Sequence, residues 1–134
     1  MRTGWTVGKL IRWVPVLVWM GLIFYLSLQP DLPHHPEGVI DLIMKKVGHM
    51  GKYGILAALV WWAWPKDARE SSGRVFPYAL ILSGLYAFSD EVHQLFVPGR
   101  DGQLLDLAFD LSGAALALFL ISKLMGRKHT PQSR

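Results

Sequence analysis

Residues 75–100 read Val-Phe-Pro-Tyr-Ala-Leu-Ile-Leu-Ser-Gly-Leu-Tyr-Ala-Phe-Ser-Asp-Glu-Val-His-Gln-Leu-Phe-Val-Pro-Gly-Arg. The run from Val75 to Phe88 carries no charge, and Pro77 falls where a first helical turn tolerates proline. Ser89, Asp90, Glu91, His93 and Gln94 then crowd the last turns before Pro98-Gly99 ends the element. A helix that is apolar for most of its length and strongly polar at one end suits a membrane better than a soluble core. A bilayer span needs about 17–25 predominantly apolar residues, and ionisable groups inside one are costly and tend to be functional.

Three more charge-poor stretches stand beside this one, at roughly 13–28, 47–64 and 104–124. The composition is 51% hydrophobic and 18% charged, so clustering of the apolar residues decides the class. Four spans consume most of the 134 residues and leave no room for a separate soluble catalytic domain. The expected fold is all-α, a polytopic four-helix membrane bundle over 13–124. A cytoplasmic segment at 1–12 precedes it, and a disordered cytoplasmic tail at 125–134 follows. The first span begins near Trp13 and ends at Gln29-Pro30. No small-x-small cleavage site follows Ser27, so the reading is a retained span and not a signal peptide. The segment 65–74 reads as a plain turn. In 31–46, Val39, Ile40, Leu42, Ile43 and Val47 recur at helical spacing. This segment is either a short amphipathic helix at the outer interface or a loop with an extended start to the second span.

Sidedness follows from Lys and Arg. Of the 14 bases, Arg2, Lys9, Arg12, Lys66, Arg69, Arg74, Lys123, Arg127, Lys128 and Arg134 fall on one side of this topology. That side is cytoplasmic, with both termini. Trp13, Trp61, Trp62, Trp64 and Tyr78 form an aromatic belt there, while Tyr25 and Tyr86 approach the outer boundary. The protein is thus expected to be a multi-pass membrane protein. A net charge of +4 is flank charge on a membrane protein and not a nucleic-acid surface. Having no cysteine, the chain can form no disulfide, Cys-ligated metal site or Cys nucleophile.

The polar residues of the spans all fall at the outer ends. Lys46, His49 and Tyr53 lie within about 60° of one another on a helix. Asp90, His93 and Gln94 share a face, with Glu91 one turn from Gln94. Asp106, Asp110 and Gly113 are spaced i, i+4, i+7. Ser27 and Gln29 close the first span, and Arg100 sits in the turn between the third and fourth. Polar groups between helices can be structural glue at about 0.6 kcal/mol per pair. Lys46 can pair with Asp41 or Glu91, and Arg100 with Asp101 or Asp106. Read as chemistry, His49 can act as general acid or base, oriented by Glu91 or Asp90. Arg100 and Lys46 can hold a phosphate or carboxylate. Asp90, Glu91, Asp106 and Asp110 can share a hard cation. With bases so close, a neutralised network without metal is the simpler expectation, and no cofactor motif occurs. His34 and His35, exposed beside prolines, read as surface residues.

The run Ser89 to Arg100, with Leu104-Leu105-Asp106-Leu107 and Asp110 to Gly113, resembles the signature of VanZ-like membrane proteins. Lys46-x-x-His49-x-x-x-Tyr53 resembles that family's second-helix motif, and Phe24 to Pro30 its first-helix ending. Asp110 departs from the pattern, where Asn is often found. The resemblance implies a small bacterial integral membrane protein of the cell envelope, whose namesake confers low-level teicoplanin resistance, and no settled enzymatic activity. It singles out Lys46, His49, Tyr53, Glu91, Gln94, Arg100, Asp106 and Asp110. The candidate binding set is these eight with Asp90, and His49 and Glu91 are the catalytic candidates. The expected partners are the bilayer and an anionic lipid-linked or cell-wall ligand. The leading function is an outward-facing pocket that binds or modifies an envelope component or lipoglycopeptide. The alternatives are a membrane hydrolase or transferase acting on a lipid-linked substrate, a non-catalytic scaffold and, more weakly, a transporter.

Overall fold

A computed structural model describes residues 6–29, 38–71, 73–99 and 103–127. It is all-helical, with no strand among the described residues. The elements are α1 (Val7–Ile11), α2 (Val14–Leu28), α3 (Gly38–Ala63), α4 (Lys66–Ser71), α5 (Val75–Gln94) and α6 (Leu104–Arg127).

Local chemistry sets several of these boundaries. Pro15 lies in the first turn of α2. It has no N–H for the carbonyl of Ile11, and its ring crowds that carbonyl. The expected first span is therefore two helices joined by a turn at Arg12-Trp13. At the other end Gln29 turns extended (φ −75°, ψ 134°), as the residue before a proline must.

Two expectations are corrected here, and one pair of alternatives is decided. Residues 38–46 are not a separate interfacial helix; they are the extended start of the second span, the opening turns of α3, which runs unbroken for 26 residues. No proline interrupts it, and at about 39 Å it exceeds the hydrocarbon thickness. The segment 65–74 contains the helix α4. The last helix continues to Arg127, into the tail expected to be disordered. Residues 31–37, with His34 and His35, and 128–134 lie outside the described residues.

α3 and α6 form the most extensive helix pair and run parallel. Lys46 faces Asp106, His49 faces Asp110, and Gly54 lies against Gly113 and Ala117. A Cβ at Gly113 would fall 2.6 Å from the Cα of Met50, so only glycine permits this approach. α2 and α5 pack on this pair.

The distribution of side chains is the reverse of a soluble protein's. Beside Val16, Ile23, Leu56, Val60 and Leu118, the interior holds many small apolar residues (Ala57, Ala63, Ala79, Ala87, Ala114) and polar ones. Large apolar residues such as Leu17, Phe24, Leu85, Phe88, Leu116 and Phe119 cover the outside. Lipid tails leave Leu and Phe no reason to hide, whereas small residues let helices approach closely. Two helical stretches, Val7–Leu28 and Leu104–Met125, are long and apolar enough to cross a membrane.

Candidate functional site

The polar ends of α2, α3, α5 and α6 meet, and their side chains bond across helices. On α3, Lys46 forms an ion pair with Asp106 of α6. Asp106 sits in the first turn of its helix, where the helix dipole also favours a carboxylate. One turn further along α3, the His49 ring places Nδ1 2.8 Å from Asp110 Oδ1 and Nε2 3.7 Å from Asp106 Oδ2. Another turn on, the Tyr53 hydroxyl donates to Asp90 Oδ2 at 2.9 Å. Gln94, one turn from Asp90 on α5, donates weakly to the same oxygen at 3.3 Å and to Ser27 Oγ of α2 at 3.5 Å. Each helix contributes at spacings of three, four or seven residues, which is why one face can supply consecutive contacts.

This network is buried. Ser27, His49, Tyr53, Asp90, Glu91, Gln94, Asp106 and Asp110 are all buried, and Lys46 alone keeps a partly exposed side chain, at 12%. Buried charges of this kind persist only when paired and hydrogen-bonded. Glu91 is the exception. Both its carboxyl oxygens are buried without a well-formed hydrogen bond among the described residues; the Gln103 backbone N–H is directed toward it. Glu91 lies within electrostatic reach of His49, Asp106 and Asp110, and Lys52 within reach of Asp110.

The structure brings together eight of the nine candidates: Lys46, His49, Tyr53, Asp90, Glu91, Gln94, Asp106 and Asp110. Arg100, the ninth, lies outside the described residues, as does Asp101. Two sequence expectations change. His49 is held by Asp110, not oriented by Glu91 or Asp90. Lys46 pairs with Asp106, not with Asp41 or Glu91. His93 forms no hydrogen bond in the network among the described residues; its ring stacks on Phe24 at 4.9 Å. The Tyr86 hydroxyl donates to the Met20 carbonyl at 2.6 Å. Ser27 belongs to the network but was not among the candidates. A serine closing an apolar helix is a faint signal until Gln94 is seen to face it.

The arrangement can orient a histidine, hold a proton between coupled groups and bind a polar ligand next to Glu91. Among the described residues no group of three or more His, Asp or Glu side chains is placed to hold a metal ion. Among the described residues no serine or tyrosine hydroxyl is bonded to His49, so they form no nucleophile–base pair there.

An all-helical chain, apolar on its outside and with a cross-linked polar network between its helix ends, is by class an integral membrane protein. The family model described as VanZ/LLP1 matches residues 10–126, most of the chain, and the protein belongs to that family. No curated protein and no solved structure matches it.

Proposed function

We propose that the chain crosses the bacterial cell membrane four times, through α1–α2, α3, α5 and α6, with both termini in the cytoplasm. The network then opens to the outer leaflet as a binding pocket for a polar envelope component. Family membership supports a VanZ-type role, and on that ground lipoglycopeptides of the teicoplanin kind are the proposed ligands, along with anionic lipid-linked wall precursors. The observation that carries the reading is that buried polar groups from four helix ends converge at one end of the bundle. Helix–helix adhesion alone does not call for an acid such as Glu91 with no bonded partner among the described residues. In this reading Arg100 and the free donors of Lys46 contact an anionic group. Glu91, His49 and Tyr53 line the pocket.

A second reading rests on the 2.8 Å His49–Asp110 contact, which fixes the ring as a general base requires. It makes the protein a hydrolase or transferase acting on a lipid-linked substrate.

Expression in a susceptible bacterium tests both. The native chain is expected to raise the teicoplanin concentration that stops growth. Glu91→Gln and His49→Ala are expected to abolish the effect at unchanged membrane abundance. Full protection by both variants, or none by the native chain, overturns the pocket reading. A lipid-linked wall precursor of altered mass, recovered from cells with the native chain and not from cells with His49→Ala, favours the enzyme.

A further inference from the structure

The opposite end of the bundle holds a second set of unsatisfied groups. Arg12, in the turn between α1 and α2, reaches the C-terminal end of α3. Its Nη2 donates to the Trp62 carbonyl at 2.6 Å, and its guanidinium carbon lies 4.6 Å from the Trp62 ring centre. Arg69, on α4, lies 4.7 Å over the ring of Trp61. Burial and then repulsion from Arg12 hold the Arg69 guanidinium below its ordinary range; neighbouring Glu70 offsets part of this. Glu70 is itself exposed and sits 3.8 Å from Lys66.

The Nε atoms of Arg12 and Arg69 and the indole Nε1 atoms of Trp61 and Trp64 are buried, with no hydrogen-bond partner among the described residues. All four are donors. Native structures satisfy most buried polar groups, so an unmet set of one kind points to what is missing. Here that is an acceptor bearing negative charge, and a guanidinium fork matches the oxygens of a phosphate.

An apolar crevice of about 160 Å³ begins beside this cluster at Trp13, the neighbour of Arg12. It runs between α2, α3 and α5, past Val16, Leu56 and Val60, to Met20 and Tyr86. Of α2, only Val16, Ile23 and Ser27 are fully buried against its neighbours.

We propose that this end of the molecule binds an anionic phospholipid, its phosphate between Arg12 and Arg69 and one acyl chain in the crevice. Charge complementarity selects the head group, and continuity of the crevice with the cluster at Trp13 selects a lipid over a soluble phosphate. Basic pockets between membrane helices on the cytoplasmic side bind anionic head groups in this way. The inference rests on the membrane reading above but not on the outer pocket.

The test reconstitutes the full chain in vesicles and reads quenching of its tryptophans by brominated phosphatidylglycerol or brominated phosphatidylcholine. The native chain is expected to prefer phosphatidylglycerol. Each of Arg12→Gln and Arg69→Gln is expected to weaken that preference about fivefold, and the double variant about thirtyfold, at roughly 1 kcal/mol per base. Arg12→Lys with Arg69→Lys keeps the charges and is expected to retain part of it. Equal quenching of the native chain by the two lipids overturns the proposal without any variant. Native-like preference in the double Gln variant overturns it too. So does loss of the phosphatidylglycerol preference when soluble glycerol phosphate is added at the concentration of the lipid. Flotation separates the failures: a chain that floats without preference loses only the lipid site, and one that does not float loses the membrane reading as well.

Discussion

The Lys46–Asp106 pair is where single side chains decide most. Asp106 is almost wholly buried, and among the described residues Lys46 is its one ion-pair partner apart from the more distant His49. Removing one member of a buried pair strands the other, at a cost of about 3–5 kcal/mol, whereas an apolar pair of similar volume is often tolerated. Lys46→Met is therefore expected to lower the thermal midpoint in detergent sharply. Lys46→Met with Asp106→Leu is expected to recover most of that loss. Additive losses in this double-mutant cycle would mean that the pair carries little coupling. At this scale the sequence disclosed which residues matter but not whom they meet. Spacing puts Lys46, His49 and Tyr53 on one face and Asp106 and Asp110 on another. That Asp110, rather than Glu91, holds His49 depends on how α6 is rotated against α3, a tertiary quantity that helical periodicity does not contain.

That rotation and the parallel register of α3 and α6 are fixed by glycine contacts. At Gly113 a Cβ would strike the backbone of Met50, which cannot move aside. At Gly84 it would meet only the flexible end of Leu111, at 2.9 Å. Gly113→Ala is expected to destabilise the bundle by about 1–3 kcal/mol, as overpacking does, and to disturb the polar network one turn away. Gly84→Ala is expected to cost clearly less. Denaturant titration of the two variants distinguishes them, and equal losses would count against the α3–α6 contact as the organising one. Apolar runs and prolines made the long helices legible. The continuity of α3 through residues 38–46 was not legible, because an amphipathic stretch beside prolines reads equally well as an interfacial piece. There Val39, Ile40, Ile43 and Val47 are all exposed. Their apolar face suits lipid contact, and no packing demand separates the segment from the helix that follows.

Across the whole molecule, the two ends have opposite chemistry. One gathers acids with a lysine and a histidine between helices; the other carries arginines, tryptophans and unmet donors. The sequence reading assigns ten of the 14 bases to one side, and Arg12 and Arg69 of that set lie in the cluster with the unmet donors. The donors at the second end were not legible, because whether an arginine finds an acceptor is known only once its neighbours are placed. Sidedness is the claim on which the pocket depends, and the absence of native cysteine makes it directly measurable. Single cysteines at the exposed positions Gln29, Gln103 and Lys66 can be treated in intact cells with a membrane-impermeant thiol reagent. Labelling at positions 29 and 103 in intact cells, with position 66 labelled only after permeabilisation, is the expected result. Labelling of position 66 in intact cells with 29 and 103 protected would place the polar network on the cytoplasmic side and contradict the account.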